Sequence, residues 1–120
     1  MRSSAGRPER WAVDAADAAV ATLTVPPDAQ RERRFEVACA MTVQPIAGAD
    51  GGWHHMLVRV DGAREWERRI ATHPGDGPDG LDLRFERRVP PGQALRIVVE
   101  VAAQGARRRS LHIEAEEQCD

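Results

Sequence analysis

The chain has 120 residues, 42% of them apolar and 30% charged, with a formal charge of -2 from 17 basic and 19 acidic residues. That is the size and composition of one globular domain, and the near balance of charge argues against an overall polyanion binder. Lysine, asparagine and tyrosine are absent, which excludes Schiff-base and P-loop lysines, pyridoxal-phosphate attachment and any N-glycosylation acceptor.

Residues 1–10 read as a flexible leader, 11–115 as a single domain and 116–120 as an acidic tail. The leader carries charge but no apolar h-region, so it is not a secretory signal as it stands. No apolar run reaches the length of a membrane span. The expected location is therefore cytoplasmic, with no membrane contact.

From Trp11 to Val25 two patterns compete. Trp11, Val13, Ala15, Ala19, Ala21, Leu23 and Val25 share odd parity, the period of an extended strand, and residues 18–25 are read as one. The run Asp14 to Ala21 is also rich in helix formers, which keeps a short helix open. Pro26-Pro27-Asp28 ends the segment. Next, Phe35, Val37, Cys39, Met41 and Val43 alternate without a break, as a strand with one buried face requires. Met56, Val58 and Val60 form another such face, and Trp66 and Ile70 continue its even parity beyond Asp61-Gly62. A two-residue turn there pairs even with odd positions, setting Glu65 and Glu67 opposite Val58 and Met56. A three-residue loop, Val60-Asp61-Gly62, keeps even with even and sets Met56 opposite Trp66, and it is the preferred reading.

Leu81, Leu83 and Phe85 alternate with Asp82, Arg84 and Glu86. Leu95, Ile97, Val99 and Val101 follow, then Leu111, Ile113 and Ala115. Turn signals at Pro26-Pro27, Gly48 to Gly52, Asp61-Gly62, Pro74 to Gly80, Pro90 to Gly92 and Gln104-Gly105 divide about seven or eight strands. The expected fold is an all-β antiparallel β-sandwich, immunoglobulin-like or jelly-roll.

Few residues offer chemistry. The only serines are Ser3, Ser4 and Ser110, and none lies in G-x-S-x-G. Cys39 falls on an apolar strand face and reads as core, whereas Cys119 reads as exposed; the two lack zinc-like spacing. His54 and His55 are adjacent, so a strand sends them to opposite faces. His73 precedes the loop that carries Asp76 and Asp79, and His112 lies on the last strand. His54, His73, Asp76 and Asp79 are weak metal candidates. Asp76, Asp79 and Asp82 lack the calcium-loop order, and the expectation is no metal and no cofactor.

Glu-Arg-Arg followed by an apolar residue recurs at Glu32 to Phe35, Glu67 to Ile70 and Glu86 to Val89, and Arg107 to Arg109 adds a fourth basic cluster. These arginines either form a stripe that grips phosphates or carboxylates, or pair with glutamates across wet strand faces; pairing is preferred. Phe35, Trp66 and Phe85 fit core positions, which leaves few aromatic platforms for nucleic acid. Trp53 has parity opposite to Met56 and Val58. It either caps the open end of the core, the preferred reading, or stands exposed to stack on a sugar or anchor a partner.

The leading functional expectation is a non-catalytic interaction module that binds a protein partner or itself through a sheet edge or the loops around Trp53. The candidate binding residues are Trp53, His55, Arg59 and Arg64. One rival is a carbohydrate or small-anion module using Trp53 with those arginines. The other is a small metal-dependent enzyme built from the histidines and the loop aspartates.

Overall fold

The structure, a computed structural model, describes residues 8–49 and 51–119. The expected flexible leader falls largely on residues outside that range. Eight strands follow one another: β1 (Arg10–Asp14), β2 (Val20–Val25), β3 (Arg33–Pro45), β4 (Trp53–Val60), β5 (Ala63–Ala71), β6 (Asp79–Val89), β7 (Leu95–Gln104) and β8 (Ala106–Glu117). The sheet therefore begins at Arg10 and runs on to Glu117, beyond the expected domain bounds at both ends. No helix among the described residues is long and apolar enough to cross a membrane.

The pairing is nested. β4 pairs with β5, β3 with β6, β2 with β7 and β1 with β8, all antiparallel. Contacts of β3 with β8 and of β4 with β7 complete two four-stranded sheets, ordered β1-β8-β3-β6 and β2-β7-β4-β5. This is the jelly-roll arrangement of a β-sandwich. The immunoglobulin-like alternative, whose sheets run A-B-E-D and C-F-G, is not the one formed.

The alternating residues meet between the sheets. Phe35, Val37, Cys39, Met41 and Val43 of β3 are buried, as are Met56 and Val58 of β4, Leu95, Ile97 and Val99 of β7, and Leu111, Ile113 and Ala115 of β8. Each of the Phe, Met, Leu, Ile and Val side chains among them is worth about 1.5–3 kcal/mol when removed from water. This burial also decides the ambiguous first segment. Ala21, Leu23 and Val25 face the core from β2, a face that a helix over 14–21 would have broken. Between β1 and β2 the chain turns at Ala16 (φ 53°), whose N–H donates to Asp14 Oδ1 at 3.0 Å.

The β4–β5 connection differs from expectation. Val60 pairs with Ala63, so the loop has two residues, and Asp61 (φ 50°) and Gly62 (φ 87°) are both left-handed, as a type I′ turn requires. Even positions still meet even ones, because a register shift follows at once: Arg59 faces Arg64, and Val58 faces Trp66. The bulge leaves Glu65 without an opposite residue, and Met56 stands across from Arg68. A three-residue loop and a two-residue turn plus bulge restore the same parity, so parity alone could not separate them.

Gly80 has a packing reason. A Cβ built there would lie 2.3 Å from the Met41 carbonyl oxygen on β3, so any other residue would push β6 away from its neighbour.

Candidate functional site

All four candidate binding residues lie on the outer face of the β2-β7-β4-β5 sheet. Trp53, His55 and Arg59 occupy alternate outward positions of β4, with Leu57 between them, and Arg64 faces Arg59 from β5. Trp53 is half-buried, its indole N–H donating to Gln104 Oε1 at 3.2 Å, and the Arg69 guanidinium stacks over its ring at 3.8 Å. His55 Nε2 lies 2.7 Å from Glu67, which Arg64 also meets at 2.9 Å. These two partners hold the Glu67 carboxyl below its ordinary range, His55 contributing most. Arg59 is paired with Glu100. Each cation of the expected anion site thus already has a carboxylate, and Trp53 presents its edge beside a stacked arginine.

Trp53 does not cap the core. His54 does, from the opposite side of the same strand. It is fully buried, with Nε2 donating to the Gly80 carbonyl on β6 at 3.2 Å and Nδ1 bonded to the Thr72 hydroxyl at 2.8 Å. His54 therefore bridges the two sheets at this end. The loop aspartates do not converge on it. The Asp79 carboxylate accepts the N–H groups of His73 (2.9 Å) and Gly80 (2.8 Å), which lower its pKa. Asp76 uses its backbone carbonyl to accept from Gln44, and Asp82 stands on the outer face of β6 opposite Ala40. Among the described residues no three His, Cys, Asp or Glu side chains are grouped so as to hold a metal ion. A surface cleft of about 420 Å³ opens nearby, lined among others by Ile46, Gly48, Gly51, Thr72, His73 and Pro74. Cys39 is buried, which pushes its thiol up to about 12, and Cys119 is exposed.

The repeated Glu-Arg-Arg segments pair across strands. Arg84 meets Glu36 at 3.3 Å, Arg88 meets Glu32 at 3.2 Å, and Arg87 of β6 reaches Glu65 on β5 of the other sheet. Exposed pairs of this kind contribute about 0–1 kcal/mol each.

Arg33 is the exception, and sequence reading missed it. Its side chain is 1% exposed and sits at the opposite end of the sandwich from His54, donating to Glu9 and to the Pro26 carbonyl, at 2.8 and 2.9 Å. Beside it Arg31 joins Glu117, Glu9 and Asp28. Arg31 holds the Glu117 carboxyl low, and Glu117 in turn raises Arg31. The signal was present in the sequence: Arg33 continues the odd parity of Phe35 to Val43, and Glu117 that of Leu111 to Ala115.

Apart from exposed Val20 and Ile46 and the partly buried Trp11 and Val13 of β1, incompletely covered apolar surface lies along the flank of β5 and β6. β5 and β6 are edge strands of different sheets. Trp66 and Ile70 of β5 and Leu83 and Phe85 of β6 point toward the core but are only partly buried.

No protein-family model matches the chain, and no curated protein matches it. It is similar in structure to a part of dimeric latent PorU from Porphyromonas gingivalis, at TM-score 0.51 and 16% identity. The match covers 92% of this chain and 11% of that one, so the chain spans a small part of PorU, and the likeness is one of fold. A second match, to a chain of infectious bursal disease virus Gt strain, has TM-score 0.32 and 12% identity over 95% of this chain and 38% of that one. At that TM-score it carries no argument.

Proposed function

We propose that the protein is a non-catalytic β-sandwich interaction module that binds another protein chain along the flank between β5 and β6. The observation behind this reading is the flank itself. Two long edge strands, Ala63–Ala71 and Asp79–Val89, run beside a strip of partly buried Trp66, Ile70, Leu83 and Phe85. Edge strands offer unpaired backbone groups, and apolar side chains beside them supply the burial that strand addition alone lacks. The charged residues on the outer face of each edge keep the free protein soluble while leaving the inner strip available.

The test is photo-crosslinking in the source cells with a benzophenone side chain at Phe85 or at Trp66, and at exposed Ala12 as the control. The reading expects discrete protein adducts from the first two positions only. Equal labelling from Ala12, or none from either flank position, refutes it.

A further inference from the structure

The β6 edge has a charge pattern that is complementary to itself. β6 pairs with β3 alone and in unbroken register from Asp79 to Val89, so its other edge is straight and free of bulges. Its outward residues read Asp82, Arg84, Glu86 and Arg88, all exposed, and the inward ones Leu81, Leu83, Phe85, Arg87 and Val89. The exposure pattern from Leu81 to Val89 is symmetric about Phe85, whereas the charges about that residue are opposite in sign.

We infer that a second copy of this chain pairs on β6 in antiparallel fashion about a two-fold axis at Phe85, making one eight-stranded sheet. This deepens the flank reading above and rests on it. In that register Asp82 meets the partner's Arg88 and Arg84 meets the partner's Glu86. By symmetry each pair occurs twice on the outer face. On the inner face Phe85 meets the partner's Phe85, Leu81 meets the partner's Val89, and Leu83 meets the stem of the partner's Arg87, so the partner covers the partly buried Phe85 and Leu83. Opposite charges and aromatic pairs directly across from each other are the favourable cross-strand combinations.

The other registers satisfy these residues less well. Moving the axis to Arg84 sets Arg84 on its own copy and Asp82 against Glu86. Moving it to Glu86 sets Glu86 on its own copy and Arg84 against Arg88. An axis between two residues pairs outward with inward positions and exposes the apolar side. Axes at Leu83 or Arg87 keep one attractive combination each, Asp82 with Arg84 or Glu86 with Arg88, but set the other two charges against Gly80 and Pro78 or against Pro90 and Gly92. Only the Phe85 register gives all four outward charges an opposite partner. Within one chain Arg84 and Arg88 hold only exposed partners, Glu36 and Glu32, and Asp82 has no ion pair among the described residues. The exchange therefore gives up little.

The experiment is light scattering and sedimentation of the whole chain in reductant, so that exposed Cys119 forms no disulfide. The wild type is expected to dimerise with concentration. Asp82→Arg sets like charges against Arg88, and Arg88→Asp sets them against Asp82. Each alone should weaken the dimer on the order of ten-fold or more, because two pairs change from attraction to repulsion. Mixing the two single variants should give a one-to-one heterodimer, since every outer pair is then opposite in charge. The double variant Asp82→Arg/Arg88→Asp should dimerise again. Circular dichroism and melting curves confirm that each variant is folded. A wild type that stays monomeric overturns the self-pairing, as does a dimer indifferent to the charge swaps and to mixing. If self-pairing fails while benzophenone at Phe85 still captures another protein, the flank reading survives. If both fail, both readings fall.

Discussion

Glu9→Gln is the sharpest test of how the Arg33 end of the sandwich is held. Arg33 has 1% of its side chain exposed, and Glu9 is its ion-pair partner, at 2.8 Å. The substitution keeps the shape and an acceptor oxygen but removes the carboxylate charge, leaving the buried Arg33 guanidinium with neutral acceptors alone. Removing one member of a buried ion pair costs about 3–5 kcal/mol. Glu9 is itself 24% exposed, and the Pro26 carbonyl stays in place, so the expected loss is about 2 kcal/mol. For a domain of this length that lowers the melting temperature by roughly 6–10 °C, and with a urea slope near 1.3 kcal/mol/M it moves the midpoint by about 1.5 M. The assay is a double-mutant cycle in urea with Arg33→Met, which removes the charge and keeps much of the apolar stem. Glu9→Gln should cost far less in the Arg33→Met background than in the wild type. Equal costs in both backgrounds, or a loss under 0.5 kcal/mol in the wild type, would refute a buried cation dependent on Glu9.

Four further outcomes follow from the same geometry. His54→Ala should destabilise by about 2–4 kcal/mol, because it opens a void and orphans the Gly80 carbonyl, and exchange of the amides around Thr72 should rise more than at the Arg33 end; uniform acceleration would count against a local cap. Glu117 has its pKa lowered from 4.5 in the fold, so its contribution is complete above that value and is lost as pH falls through the folded value. The melting-temperature gap between wild type and Glu117→Gln should therefore be widest near pH 7 and narrow as pH falls below 4.5, and parallel curves would refute it. Gly62→Ala adds a Cβ that meets nothing within 4 Å but sits at φ 87°, so it should cost about 1–2 kcal/mol from backbone strain alone, and an unchanged urea midpoint would contradict the type I′ turn. A thiol reagent at pH 8 should label Cys119 at once and Cys39 only on unfolding, since burial pushes the Cys39 thiol up to about 12; rapid labelling of both would contradict the packing of β3.

Much of the fold was legible because one residue in two must face the core. The run from Phe35 to Val43 could be only a strand, and the two-residue period carried through Leu95 to Val101 and Leu111 to Ala115. Two things escaped. Periodicity gives the face of a strand but not its neighbour, so the choice between jelly-roll and immunoglobulin-like order had to come from the pairing of β1 with β8 and β2 with β7. Hydrophobicity also hid charged residues that occupy core positions: Arg33 and Glu117 keep the parity of their strands, yet a charged residue in that parity reads as a wet strand face in one case and as an acidic tail in the other. His54 was correctly separated from His55, yet its role as a bridge depends on Gly80, 26 positions away. The complementary charges of β6 were in plain view as Asp82, Arg84, Glu86 and Arg88, but they have meaning only once that strand is known to be an edge.

The nested pairing has a kinetic consequence. The β4–β5 turn lies near the middle of the chain, and among the described residues it is the only connection joining two consecutive strands that pair with each other. Every other ladder closes a longer loop, up to β1 against β8, where Arg10 and Glu114 are 104 positions apart. Loop closure therefore sets an order of assembly, from the central hairpin outward through β3–β6 and β2–β7 to β1–β8. Chains dominated by such distant contacts fold in milliseconds to seconds. Substitutions at Val58 or Trp66 should slow folding, and those at Val13 should mainly speed unfolding. Until β1 closes over β8, the outer strands of the nascent protein remain unpaired edges, so refolding yield should fall as protein concentration rises.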